Sequence, residues 1–332
     1  MTTPLSRRQF LKGVGALSCG GVLTTAAGAA EVAPGSGVAA AVTPPGSRSQ
    51  PAAPAPTQDI PLTVDAHVHV WTKDPRFPWA PETTNPPEND ATAEMLLALM
   101  QAAGVQRTVI IQVIHYRWDN RYVASVLKRY PRQFRGVARV NPEDPAAPDQ
   151  LSRLTVDDGF HGVRLSPAGT AAGDWIRGPL MPPLWRCCRE LNVPMTLLAP
   201  VSRLPDIAKL LDQFPDLTVV IDHMADSPIG EPARLEPLLA LRRFPRVFVK
   251  ISHTWSLSAQ PYPYTDTHAQ VHRLYDAFGP QRLMAGTDWP LVEKYCTYAQ
   301  AIELARSRIA FLNAEDCRWI CGKTAELIWP FT

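Results

Sequence analysis

The chain has 332 residues, with 33 Lys and Arg against 31 Asp and Glu, a formal charge of +2. A near-balanced charge without clustered basic runs argues against a nucleic-acid binder. Beyond the N-terminus, no apolar run approaches the roughly twenty residues of a membrane-spanning helix.

The first sixty residues stand apart. "SRRQFLKG" (Ser6–Gly13) places Arg7 and Arg8 before a weakly apolar stretch that ends in small residues near Ala27–Ala30. The pattern resembles a twin-arginine export signal, whose arginine pair is read by the export machinery as an address. A lipid-attachment reading at Cys19 is poor, because Ala16 stands where a larger apolar residue is expected. Residues 31–60 are rich in Pro, Ala, Gly and Ser and carry too little apolar surface to offset ordering entropy, which predicts a disordered linker. Residues 61–332 have the size of one large α/β domain. Loss of residues 1–30 removes three basic residues and no acid, shifting the formal charge from +2 to −1. Export implies a periplasmic or secreted protein. Cys317 and Cys321, spaced i, i+4, are read as buried thiols, because a disulfide within one helix turn is strained.

From residue 62, short apolar β-branched runs alternate with helical patterns. Strands are expected at "LTVDAHV" (62–68), "RTVIIQV" (107–113), "FRGVARV" (134–140), "HGVRLS" (161–166), "VPMTLLA" (193–199), "LTVVIDH" (217–223), "RVFVKIS" (246–252) and "RLMAGTD" (282–288). Between them lie "TAEMLLALMQAAG", "DNRYVASVLKRY", "PPLWRCCREL", "LPDIAKLLDQF" and "YPYTDTHAQVHRLYDAFG". Near-continuous apolar strands imply a parallel sheet covered by helices. Eight strand–helix pairs in about 270 residues predict a (β/α)8 TIM barrel. An open doubly wound sheet is disfavoured because no Gly-rich phosphate loop follows the first strand.

Barrel enzymes build their sites at the C-terminal strand ends. The first strand ends in Asp65, His67 and His69, and residues two apart project to one side. The second ends in Gln112, with His115, Tyr116 and Arg117 beyond it. Arg164 lies on the fourth strand, His223 ends the sixth, Lys250 lies on the seventh before His253, and Asp288–Trp289 end the eighth. A single buried ionisable group is often structural, as if Lys250 paired with Asp65. Several converging on one mouth indicate a site. His268 and His272, four apart on a helix, read as a solvated face.

These residues also carry a resemblance. "VDAHVHVW", "HGVRL", "FPDLTVVIDHM", "VFVKIS", "PYPYTD" and "FGPQRLMAGTDWP" are similar, in order, to the amidohydrolase superfamily. The branch they most resemble contains TIM-barrel lactonases such as 2-pyrone-4,6-dicarboxylate lactonase and sugar-acid lactonases. The resemblance implies that His67, His69 and Asp288 surround the reacting water and that Asp288 takes its proton. It further implies that His223 matches the sixth-strand histidine and Arg164 a substrate-carboxylate contact. The fifth strand, "VPMTLLAPV", has no ionisable residue, and Arg164 cannot bridge two metals, so a binuclear centre is not expected. One divalent metal, zinc foremost, on His67, His69 and Asp288 remains open beside a metal-free site.

The expected function is hydrolysis of a lactone or related cyclic ester of a small polar or acidic molecule. Asp288 is the base, a role that suits a carboxylate whose pKa is raised by partial desolvation and that lies close to the water. His67, His69 and His223 polarise the carbonyl. Arg164, Gln112, Tyr116, Lys250, His253 and Trp289 are the substrate-binding candidates, with Arg117 in support. Trp71, Trp79, Trp118, Trp255 and Trp289 fall in strand-end loops that can wall a pocket. The alternatives are a metal-dependent decarboxylase on the same barrel and a non-catalytic exported binding protein.

Overall fold

Each of the eight β-branched runs forms a strand, shorter than its sequence pattern. They are β1 (Val64–Val68), β2 (Arg107–Ile111), β3 (Phe134–Val137), β4 (Val163–Leu165), β5 (Met195–Leu197), β6 (Val219–Ile221), β7 (Val247–Ile251) and β8 (Leu283–Ala285). The structure is a computed structural model that describes residues 61–166 and 175–331. The expected signal at 1–30 and the linker at 31–60 lie outside the described residues.

Every strand pairs in parallel with a sequence neighbour, in ladders β1-β2-β3 and β4-β5-β6-β7-β8. Single parallel bridges, Ala138 with Val163 and Val68 with Trp289, join the two ladders at both seams. The chain is a (β/α)8 barrel whose two seams are its weakest ladders.

Seven helices follow the strands in turn: α1 (Ala93–Ala103), α2 (Arg121–Arg129), α3 (Ala147–Val156), α4 (Met181–Glu190), α5 (Leu204–Gln213), α6 (Pro232–Leu239) and α7 (His268–Phe278). Their boundaries follow local chemistry. The Thr92 hydroxyl accepts the Met95 N–H at the start of α1, and Gly104 closes it in the left-handed region at φ 62°. In α2, Tyr122, Val123, Val126 and Leu127 are buried while Arg121 and Arg129 face outward. The "YPYTDTHAQVHRLYDAFG" segment passes through a 3-10 turn at Thr265–Thr267 and becomes α-helical from His268, beyond Pro261 and Pro263, which have no N–H to donate.

One apolar cluster takes Val64, Ala66, Val109, Ile111, Val137, Val220, Phe248 and Met284 from six strands and none from α1–α7. It is the barrel interior, and Trp329 and Phe331 from the C-terminal segment join it. Side-chain alternation then places residues two further along on the same inner side. By that rule Arg139 follows Val137, Asp222 follows Val220 and Lys250 follows Phe248, so the interior changes from apolar to charged toward the C-terminal mouth.

β1 breaks the alternation. Asp65 pairs with Thr108 and Val68 with Ile110, so one residue is inserted between them. Such a bulge re-aims the side chains beyond it. Asp65 consequently faces Thr287, accepting its backbone N–H at 2.9 Å and its hydroxyl at 2.7 Å, apart from the ring nitrogens of His67 and His69.

All five described cysteines are free thiols, including Cys317 and Cys321. No helix among the described residues is long and apolar enough to cross a membrane. His272 is exposed and lies 3.9 Å from Asp276 on α7, as a solvated face requires, whereas His268 is half-buried at the start of that helix, so the expectation holds for His272 alone.

Candidate active site

The seam between β1 and the chain beyond β8 builds the centre. His67 O accepts the Asp288 N–H at 2.8 Å, and the His69 N–H donates to Trp289 O at 2.7 Å. Gly286 permits this approach: a Cβ there would lie 2.7 Å from His67 Cβ. Backbone pairing therefore sets two imidazoles beside one carboxylate.

His67 Nε2 and His69 Nε2 lie 3.3 Å apart. Asp288 Oδ1 is 3.6 Å from the first and 3.3 Å from the second. All three residues are buried. His69 Nδ1 lies 2.8 Å from Ile111 O, which can only accept, so Nδ1 carries the hydrogen and Nε2 keeps its lone pair. His67 Nδ1 lies between Asp222 Oδ1 at 3.4 Å, which can only accept, and Lys250 Nζ at 3.3 Å, which can only donate, so these contacts do not fix its tautomer. Asp288 Oδ1 is buried without a hydrogen-bond donor. His69 Nε2 and Asp288 Oδ1 thus converge as acceptors, with His67 Nε2 beside them. Their spacing is that of a tetrahedron edge, about 3.4 Å, for bonds of about 2.1 Å from zinc to imidazole nitrogen or carboxylate oxygen. His67, His69 and Asp288 accordingly form a site able to hold a metal ion. β5 adds only buried, non-ionisable Thr196.

Burial, followed by the charge of Lys250, lowers His67 to about 3. Burial would raise Asp288, but the neighbouring imidazoles of His69, His223 and His67 outweigh it and hold the carboxyl below its ordinary range. Desolvation alone would raise Asp288 as a base requires, but three imidazoles face the carboxyl and keep its pKa low. At neutral pH His67 is uncharged and Asp288 ionised.

Behind the histidines lies a charge network. Asp222 is fully buried. Its Oδ2 accepts Arg164 Nε at 2.9 Å, and its Oδ1 stands 3.1 Å from Lys250 Nζ. Lys250 Nζ also reaches His67 Nδ1 at 3.3 Å. Burial opposes ionisation of Asp222, yet Lys250, His67 and Arg164 together hold its pKa well below the usual carboxylate range. Asp222 escaped the sequence reading, although an Asp two residues after inward Val220 was a legible signal. Lys250 pairs with Asp222, not with Asp65. Desolvation raises Asp65 to about 6 despite its bonds to Thr287.

His223 completes the wall. Its Nδ1 lies 2.8 Å from Ser252 Oγ, and its ring centre is 4.5 Å from that of His67 and 4.6 Å from that of His253. Burial, then His67, lowers its pKa far below the ordinary value. His223, Met224, Ala225 and Asp226 are all left-handed, at φ 52°, 52°, 55° and 47°. Each such residue costs about 1–2 kcal/mol. His253 and Asp288 share the strain at φ 61° and 62°. Strained residues gathered at one mouth are characteristic of functional sites.

The remaining candidates divide. His253 Nε2 lies 3.8 Å from Asp288 Oδ2, under Trp255, whose ring stacks on Tyr295. Arg164 adjoins the centre through Asp222. Gln112 Nε2 binds Asp119 O, while its Oε1 is buried without a partner. The Tyr116 hydroxyl is fully engaged by Thr72, accepting from N at 3.0 Å and donating to O at 2.8 Å. Trp289 is buried, with Nε1 donating to Glu293. Lys250 is sealed beneath His67. Tyr116, Trp289 and Lys250 therefore position loops and ligands and present no free polar group to the mouth.

A buried His-x-His at one barrel seam facing an aspartate at the other side of that seam defines a hydrolase-type barrel mouth. The amidohydrolase family model matches residues 64–331, and the chain belongs to the amidohydrolase family. It is an enzyme. L-fucono-1,5-lactonase of Burkholderia ambifaria is 31% identical over 234 residues, 69% of this chain and 80% of that protein. The 2-pyrone-4,6-dicarboxylate hydrolase of Comamonas testosteroni is 29% identical over 239 residues, 68% of this chain and 76% of that protein. An amidohydrolase from Burkholderia multivorans, solved with bound zinc, shares the fold at TM-score 0.67 and 21% identity, covering 80% of this chain and 98% of that one.

Proposed function

We propose that the enzyme hydrolyses the lactone ring of a small, polar, acidic molecule. The observation that carries the reading is the convergence of buried His67 Nε2, His69 Nε2 and Asp288 Oδ1 within 3.3–3.6 Å. Ionised Asp288 accepts a proton from water as the water oxygen bonds to the lactone carbonyl carbon. The ring C–O bond then breaks, and the leaving ring oxygen takes that proton, giving a hydroxy acid. A divalent ion, zinc foremost, on His67, His69 and Asp288 would polarise the carbonyl and lower the pKa of water. His223, held by Ser252, faces the same space and helps to orient the carbonyl. Two curated relatives bear the names of a lactonase and of a pyrone dicarboxylate hydrolase, which supports a cyclic ester as substrate.

The "SRRQFLKG" pattern supports export by the twin-arginine machinery and a periplasmic or secreted location, with residues 61–332 as the working domain. Cell fractionation with Arg7 and Arg8 replaced by Lys tests this: the mature form should disappear from the periplasm, and unchanged export would refute it. For the chemistry, zinc-loaded and chelator-treated enzyme should be compared on acidic and neutral lactones by pH-stat titration. Turnover of acidic lactones that is lost with one zinc equivalent is expected. Release of carbon dioxide from carboxylated aromatics, with every lactone left intact, would replace the reading by a decarboxylase.

A further inference from the structure

The C-terminal segment reaches the hydrolytic centre from below. Trp329 follows the short helix Thr324–Ile328, outside the strand–helix repeat, and is fully buried in the barrel interior. The chain is clamped on both sides of it: the Trp329 N–H donates to Ala325 O at 2.8 Å, and Arg135 Nε donates to Pro330 O at 2.7 Å. Arg135 and Arg107 also stand over the Phe331 ring, with Cζ 4.6 Å and 5.2 Å from its centre. Gly162 leaves room for the indole: a Cβ there would lie 3.4 Å from Trp329 Nε1 and 2.9 Å from Pro194 O.

The polar edge and the face of the indole are used differently. Nε1 is buried with no acceptor, which costs free energy relative to an apolar side chain in the same place. The ring face carries a cation: Lys250 Nζ stands over it, 5.3 Å from the ring centre. Lys250 is fully buried, and among the described residues its ammonium has only Asp222 Oδ1 at 3.1 Å and His67 Nδ1 at 3.3 Å as polar partners. An ammonium has three N–H donors, so one is left for the indole face. A flexible four-carbon stem does not itself fix the ammonium; a surface beneath it does. Tryptophan is the aromatic side chain that attracts a cation most, and the attraction grows where water is excluded.

We propose that Trp329 is a positioning residue for the hydrolytic centre: its indole face fixes the Lys250 ammonium against Asp222 and His67, and through them the imidazole that faces Asp288. The inference rests on the lactonase reading for what the centre catalyses; the positioning of His67 does not depend on it. It gives the C-terminal segment a part in activity as well as in closing the barrel interior. It also accounts for a tryptophan whose N–H is left without a partner, where a phenyl or leucine side chain would fill an apolar core at lower cost.

The test is a double-variant cycle of Trp329→Leu and Lys250→Met on the purified protein, with Trp329→Phe as the conservative variant that keeps a ring face. In kinetics on an acidic lactone, Trp329→Leu should lower kcat about 5- to 30-fold with KM within about twofold, and Trp329→Phe should recover most of the loss. In the Lys250→Met background, Trp329→Leu should change kcat by less than about twofold. Unfolding constants from urea titration should be coupled too, the double variant departing from additivity by about 5- to 30-fold. A readout free of turnover is nitrogen NMR of the histidine rings. The His67 signals should move in Trp329→Leu and return toward wild type in Trp329→Phe, while those of exposed His272 stay in place. Additive effects in both cycles, or His67 signals unmoved in Trp329→Leu, would overturn the proposal and leave Trp329 as core filling. His67 signals that follow Trp329 in a protein that opens no lactone would uphold the positioning and refute the lactonase reading.

Discussion

Replacing Asp222 by Asn removes one carboxylate and strands two cations. Arg164 Nε at 2.9 Å and Lys250 Nζ at 3.1 Å both lose their only ion partner among the described residues, and Lys250 has no exposure through which to recruit water. Breaking a buried pair on one side costs about 3–5 kcal/mol. At about 2–4 °C per kcal/mol for a domain of this size, the melting temperature should fall by roughly 6–20 °C. Lys250→Met alone should be destabilising for the mirror-image reason. The double variant Asp222→Asn, Lys250→Met should be less destabilised than the sum of the singles by about 1–3 kcal/mol. Asp222→Asn should also weaken the orientation of His67, lowering activity or metal affinity about 10- to 100-fold. Calorimetry or urea unfolding of the four proteins reads the stability terms. An Asp222→Asn protein melting within about 2 °C of wild type would refute the buried network as drawn.

Asp65 gives a prediction of opposite sign. Its folded pKa, about 6, lies above the unfolded value, so its contribution is fully present below about pH 4 and lost as pH rises through about 6. Asp65→Asn should therefore raise the melting temperature more at pH 8 than at pH 4, by a term on the order of 2–3 kcal/mol; equal shifts at both pH values would contradict the burial argument. Gly286→Ala puts a Cβ 2.7 Å from His67 Cβ and should cost about 1–3 kcal/mol and at least tenfold in kcat. Wild-type kinetics in that variant would show that the seam does not position His67. Tyr116→Phe deprives Thr72 of both bonds and should lower stability by about 1–2 kcal/mol, with kcat within about twofold; a large kcat loss would return Tyr116 to the substrate contacts.

Much of this fold was readable because barrel strands repeat one simple pattern. All eight apolar runs became strands, and a period of two aimed Arg164 and Lys250 inward as expected. The same period placed Arg139 and Asp222 on the inner face, yet both sit inside apolar runs where one charged residue reads as noise. Their importance lies in partners 25 or more positions away, such as Asp222 with Arg164 and Lys250. The bulge in β1 was not legible. Strict alternation grouped Asp65 with His67 and His69, while one inserted residue turns it to Thr287. Tyr116 and Trp289 were reasonable candidates by position, but only the fold reveals that Thr72 and Glu293 occupy their polar atoms. The pKa of Asp288 was likewise beyond sequence. Burial was foreseeable, whereas the three imidazoles that outweigh it depend on the meeting of β1, β6 and the chain beyond β8.

The central claim is that the β1–β8 seam forms a hydrolytic centre in which Asp288 moves the proton. The most direct measurement is the rate of acidic-lactone opening by Asp288→Asn beside wild type, with melting temperatures recorded on the same samples. The account predicts a fall of about 10²–10⁴-fold in kcat with the fold retained, at a somewhat lowered melting temperature, since the neutral amide forfeits the imidazole interactions that hold the Asp288 carboxyl below its ordinary range. Lactone opening by Asp288→Asn at the wild-type rate would contradict it.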